Sequence, residues 1–251
     1  MIKQNILKFT VASTLMCSAS AFAYQYEVGG DFGRVDSPND DDTIFSLSGT
    51  VYMENVADQD GPRKAYPFLA KSSYASFDYS DNGDDDEDMT VSGRYLFDPV
   101  KGYFIDGSLV AGNVDILTVL GGMYLTDTST VEGGLIRYTT GGDDEFLLHA
   151  AYENLYSLGT NGNIMGTASL TLGDIRIIDL SAMYFINYDL GLGLGFADTS
   201  VDDNSSQDSQ DLTLQVSYFP QPNLELYGSY ENSDYDGGDL DTFLFGANFR
   251  L

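Results

Sequence analysis

Residues 178–184 read Ile-Asp-Leu-Ser-Ala-Met-Tyr, residues 212–218 Leu-Thr-Leu-Gln-Val-Ser-Tyr, and residues 243–249 Phe-Leu-Phe-Gly-Ala-Asn-Phe. In each stretch the odd positions are apolar or small, and the positions between are mixed. Successive side chains of a strand point to opposite faces, so a period of two describes a strand with one greasy face and one wetter face. Each stretch closes on an aromatic residue. Similar endings fall at Tyr52, Tyr95, Tyr124 and Tyr152, giving a repeat of roughly 30 residues. The interval after Tyr52 is longer because residues 57–70 are inserted there. At Tyr52 the apolar set is Phe45, Leu47, Val51 and Met53, so that copy runs out of phase with the others.

Pairing each ending with the strand that follows it gives strands at 24–35, 43–56, 71–80, 88–97, 102–111, 114–125, 129–139, 145–156, 163–172, 175–186, 189–199, 210–219, 223–233 and 241–251. Most have about 10 residues, the length a tilted strand needs to cross a bilayer. The connections sort by parity. After the aromatic endings they are mostly short, as at 98–101, 126–128, 187–188 and 220–222. The alternate set carries the acid: Asp40–Asp42, Asp81 to Asp88, Asp143–Glu145, Asp198 to Asp211, and Asp234 to Asp241. A soluble sandwich has no reason to sort its loops by end, whereas a membrane barrel does. Hydrocarbon offers no hydrogen-bond partners, so a sheet in it must close on itself. The fold expected is all-β: an antiparallel transmembrane β-barrel of about 14 strands, with 12 or 16 as the alternatives.

Residues 1–23 read as a secretory signal: Lys3 and Lys8, a mainly apolar stretch to Met16, then Ala-Phe-Ala with cleavage between Ala23 and Tyr24. The barrel then occupies residues 24–251. The formal net charge is −28, with 39 acidic and 11 basic residues. Nucleic acid is excluded as a partner, because binding it requires Lys and Arg to neutralise phosphates.

The chain resembles the Gram-negative outer-membrane porins, and is most similar to the putative general bacterial porins. The likeness rests on the signal, the hairpin repeat, the segment Tyr-Pro-Phe-Leu-Ala-Lys-Ser-Ser at 66–73, and the final strand Thr-Phe-Leu-Phe-Gly-Ala-Asn-Phe-Arg-Leu at 242–251. Gly246 and Phe249 match the barrel-assembly signal of that class. Leu251 and Leu244 depart from it. The resemblance implies passive diffusion of small hydrophilic solutes, recognition by the barrel-assembly machinery, an outer-membrane location and a homotrimer. A long third external loop constricts porins of the trimeric type; the counterpart here, 112–113, is too short for that.

The period-two count puts Arg94, Asp106, Asp179 and Glu225 on the inward face. Arg137 joins them as a pore-lining candidate, on a strand without a clean phase. Tyr95, Tyr124, Tyr184, Tyr218 and Phe249 are expected to form a girdle at the periplasmic interface, where rings with one apolar and one wet end are favoured. The acid excess predicts mild cation selectivity. Residues 57–70, on the periplasmic side, either form a plain turn or fold into the lumen and narrow it. With Lys71 they hold three of the nine basic residues left after Lys3 and Lys8.

Neither acidic stretch 81–88 nor 234–241 matches an EF-hand loop. No metal site, cofactor or catalytic site is expected. Divalent cations bridging these loops to lipopolysaccharide phosphates, and contact with outer-membrane lipid, complete the expected partners. His149, the one histidine, counts inward and lacks any Gly-x-Ser-x-Gly companion. The rival readings are a non-conducting structural or adhesive barrel, a secreted calcium-binding β protein and, third, an outer-membrane enzyme.

Overall fold

The computed structural model describes residues 23–36, 41–81, 87–98, 102–112, 114–140, 143–201, 208–235 and 238–251. Residues 1–22 of the expected signal lie outside these, as do parts of the acidic loops 81–88, 198–211 and 234–241. The strands are β1 (Ala23–Asp36), β2 (Asp41–Ala57), β3 (Tyr74–Asp81), β4 (Glu87–Asp98), β5 (Tyr103–Ala111), β6 (Asp115–Thr126) and β7 (Ser129–Thr140). The ring continues with β8 (Asp143–Ser157), β9 (Asn163–Leu172), β10 (Ile175–Asn187), β11 (Leu190–Val201), β12 (Ser209–Gln221), β13 (Leu224–Tyr235) and β14 (Gly238–Arg250). Each pairs antiparallel with its neighbours in sequence, and β1 pairs with β14, so fourteen strands close into a barrel. Ala23 and Tyr24, the expected cleavage junction, both stand in β1, opposite Ala57 and Val56.

Closure follows from the side-chain alternation. Phe32, Phe146, Leu148 and Phe245 are each more than 60% exposed, far too much for a face packed on a second sheet. Leu192, Leu194 and Phe196 on β11 stand outward beside Leu212, Leu214 and Val216 on β12. This outward band surrounds the ring and includes the two strands whose repeat is out of phase. On hydrocarbon, an outward charge is costly at mid-depth. Leu194→Arg is therefore expected to destabilise the barrel by about 2–4 kcal/mol. Urea titration of the protein folded into lipid vesicles measures this; an unchanged midpoint would mean that Leu194 does not face lipid.

Two strands depart from the sequence pattern. At Tyr52 the expected out-of-phase copy is present: Phe45, Leu47, Val51 and Met53 are outward and Tyr52 is buried inside. β6 is out of phase as well. Its outward residues are Leu117, Val119, Met123 and Leu125, while Leu120 and Tyr124 are buried inside. Tyr124 is consequently no member of a lipid-facing girdle. On the alternate connections, pairing continues into the acidic segments, so β13 and β14 are joined at 236–237. Local hydrogen bonds support these extensions. The Tyr230 hydroxyl and the Asn232 amide both donate to Asp241 Oδ1, at 2.8 and 3.0 Å.

Both clusters of buried apolar side chains lie toward the end of the barrel that carries the chain termini. One contains Ala65, Phe68, Leu96, Phe104, Tyr124, Leu155 and Phe185; the other contains Tyr24, Tyr52, Val56 and Tyr66. Three of these residues belong to the segment between β2 and β3.

Candidate functional site

The β2–β3 segment turns into the barrel. Pro62 starts a 3-10 turn at Arg63–Ala65, which leads into a single helical turn, α1 (Tyr66–Leu69), with Pro67 near its start. Proline suits this position because it has no N–H to leave unpaired and its φ is already helical. Lys71 leaves the helix with φ 51, the one positive φ of a non-glycine among the described residues. Ala65, Tyr66 and Phe68 are buried. Phe68 packs on Tyr124 of β6 at 5.6 Å between ring centres, and Phe104 of β5 meets the same tyrosine at 5.9 Å. The Tyr124 hydroxyl donates to the Phe68 carbonyl at 3.0 Å. Gly122 sits beneath Phe104: a Cβ there would lie 2.3 Å from the ring, so glycine is what lets the phenylalanine lie against the wall.

Charge pairs tie this plug to nearly the whole circumference. Lys64 Nζ donates to Glu225 Oε1 on β13 at 2.7 Å, and that carboxylate also accepts from Ser217 and Asn248. Arg63 Nε donates to Asp189 Oδ1 in the β10–β11 turn at 2.5 Å. Lys71 Nζ donates to Asp127 Oδ1 in the β6–β7 turn at 2.8 Å. From the final strand, Arg250 Nη1 donates to the Arg63 carbonyl at 2.9 Å. Arg250 is itself held between the rings of Tyr24 and Phe219, with Glu27 accepting from its Nε. The hydrogen bond from Lys71 holds the Asp127 carboxyl below the usual carboxylate range. A depressed pKa means that this latch stands at neutral pH and is lost as acid carries the pH below that range.

Beside the plug lies a second constellation. Arg94 on β4 forks onto Asp106 on β5, Nε to Oδ1 at 2.9 Å and Nη2 to Oδ2 at 2.5 Å. Nη2 also donates to Glu132 on β7 at 3.1 Å, and the guanidinium lies 4.0 Å from the Phe104 ring centre. A planar fork meets a carboxylate through two parallel hydrogen bonds, which fixes both groups.

Of the residues singled out by sequence, Arg94 and Asp106 thus face inward and meet each other. Asp179 stands on the inward side of β10, opposite Ala197 and Ser169. Glu225 faces inward but is only 1% exposed, because the plug covers it; it is an anchor and lines no open water. Arg137 is a correction. It shares the outward side of β7 with the exposed Leu135 and donates to both oxygens of Asp144 on β8 at 2.8 Å, near the acidic rim. A paired guanidinium is tolerated there because the rim lies beyond the hydrocarbon. Tyr124 is the other correction, drawn inward to hold the plug. Tyr95, Tyr184 and Tyr218 are exposed, and Phe249 stands on the outward side of β14 with Phe243 and Phe245. His149 faces inward, its Nδ1 3.0 Å from Thr171 Oγ1.

Lys64 and Lys71 belong to the basic set noted around residues 57–70, whereas Glu132, Glu153 and Arg250 were not singled out in the sequence. For Glu132 and Arg250, the available signal was their period-two phase with inward neighbours.

No family model matches the sequence, and no curated protein matches it. Solved structures do. The outer membrane protein Omp33 of Acinetobacter baumannii has a TM-score of 0.78 at 22% identity, over 92% of this chain and 100% of that one. A bacterial polysaccharide outer membrane secretin has a TM-score of 0.55 at 10% identity, over 91% and 99%. The NanC porin has 0.52 at 12% identity, over 89% and 100%. The likeness is one of fold: this chain has the closed antiparallel barrel of the outer-membrane porins.

Proposed function

We propose that this porin-type barrel is an outer-membrane channel for passive diffusion of small hydrophilic solutes and ions, narrowed at its periplasmic end by residues 58–73. The observation that carries the reading is the polar inward face of a ring whose outside is greasy. Above the plug, Asp31, Asp78, Asp179 and Glu231 stand on inward faces of four different strands. Such a wall is favoured against water, because carboxylates without a cation in a dry interior would not stay charged. The end with both termini and the tighter turns is assigned to the periplasm, as in other barrels of this architecture.

An acidic wall concentrates cations and repels anions. In planar bilayers under a potassium chloride gradient, the reversal potential is expected to take the sign of cation preference. Anion preference would overturn the selectivity. The buried plug also supports a second reading, a structural barrel that does not conduct. Absence of conductance both with the plug and without it would favour that reading.

A further inference from the structure

Between the plug and the wall lies a cavity of about 300 Å³, lined by Thr50, Tyr52, Lys64, Phe68, Tyr74, Arg94, Tyr124 and Glu153 among others. Both cations on its lining are already engaged by carboxylates: Lys64 by Glu225, and Arg94 by Asp106 and Glu132. Glu153, inward on β8, is different. Among the described residues it makes no hydrogen bond and no ion pair, although it stands in the cavity lining. The carboxylates that engage Lys64 and Arg94 stand outside the lining, so Glu153 is the one carboxylate on it, and the cation it feels, Arg94, is already committed to two others.

The rest of the lining narrows the choice of cation. Tyr52, Tyr74, Tyr124 and Phe68 present aromatic rings, and aromatic faces attract organic cations through their quadrupole. Tyr52 and Tyr74 are tilted neighbours, 6.2 Å apart at their centres. A bare metal ion would want several oxygen ligands. Among the described residues no group of three acidic, histidine or cysteine side chains could hold one. The volume is at the small end of those that hold ligands.

We infer that this cavity binds a small primary organic ammonium with an apolar stem, its head on Glu153 and its stem against the tyrosines. The inference rests on the channel reading, since the solute must enter from the open end, and it names the solute class retained beside the plug. The head replaces its water by a charge-assisted hydrogen bond, and the stem covers ring surface that would otherwise be wetted.

The test is calorimetric titration of the detergent-solubilised, folded full-length barrel with 2-phenylethylammonium. 2-Phenylethanol and phenylacetate serve as the neutral and anionic controls. The ammonium is expected to bind at least tenfold more tightly than either control, of the order that a charge-assisted contact supplies. Glu153→Gln should weaken it about tenfold. Thr50→Lys, which adds a cation to the lining, should do the same without touching Glu153. Heat-modifiable migration on gels verifies folding, so a misfolded Glu153→Gln leaves the Thr50→Lys comparison to decide. Equal binding of phenylacetate, no binding of the ammonium, or unchanged affinity in the folded variants overturns the inference. The titration needs no conductance. Failure to bind with conductance intact sinks this site alone, and binding by a barrel that does not conduct sinks the channel reading alone.

Discussion

Replacing residues 58–72 by a short Gly-Ser linker is expected to raise single-channel conductance about fivefold, since on the proposed channel reading the plug narrows the path and pore width sets ion flow. The expectation follows from where this segment finds its partners. Its anchors are on β13, on β14 and in the β6–β7 and β10–β11 turns, so it crosses the interior. Val56, Ala65 and Pro62 are fully buried, so on that side the segment is closely packed. A gentler version keeps the chain length and removes the charges: Arg63→Ser, Lys64→Ser and Lys71→Ser together. That variant should flicker between the native and the raised conductance, since Phe68 and Tyr66 still pack and Arg250 still reaches the backbone, while the three side-chain tethers are gone. Identical conductance in wild type and deletion would show that the plug does not limit flow.

Loss of Arg94 is expected to cost as much stability as a charge placed on the lipid face. Arg94→Met should destabilise the folded barrel by about 3 kcal/mol, because removing one partner of a largely buried charge network strands the others. Asp106 and Glu132 would lose their one cation, with Glu153 close by and side chains only 15% and 19% exposed at the first two. Arg137→Met is the control. Its pair with Asp144 is more than 40% exposed on both sides, and such a pair contributes about 1 kcal/mol or less. Urea unfolding midpoints in the same vesicles compare the two. Equal shifts would mean that the Arg94 cluster is as wet as the rim.

The architecture was open to reading because a lipid-facing strand has little freedom in its alternation. Leu212, Leu214, Val216 and Tyr218 carry it plainly, and the repeat supplies the hairpins. β6 was harder for the same reason: Leu117, Val119 and Met123 on one face compete with Leu120 and Tyr124 on the other. Both faces are apolar, so period alone does not choose between lipid and plug. Arg137 misled because a basic residue in a strand suggests the wet interior, whereas the rim is wet on both sides. Residues 57–70 stood out as an insertion with three nearby cations. That they fold inward depends on partners such as Glu225, 161 positions from Lys64, and pairings at that separation leave no local trace.

Arg250 lies at the end of β14, and its grip on the Arg63 carbonyl joins the inserted segment to the barrel seam. The guanidinium reaches that carbonyl from β14, which is held in place by pairing with β1 across the seam. Until the last hairpin zips onto the first strand, the clasp has no fixed post. In the folded barrel the seam and the floor are therefore coupled: whatever draws β14 off β1 also slackens the clasp on the inserted segment.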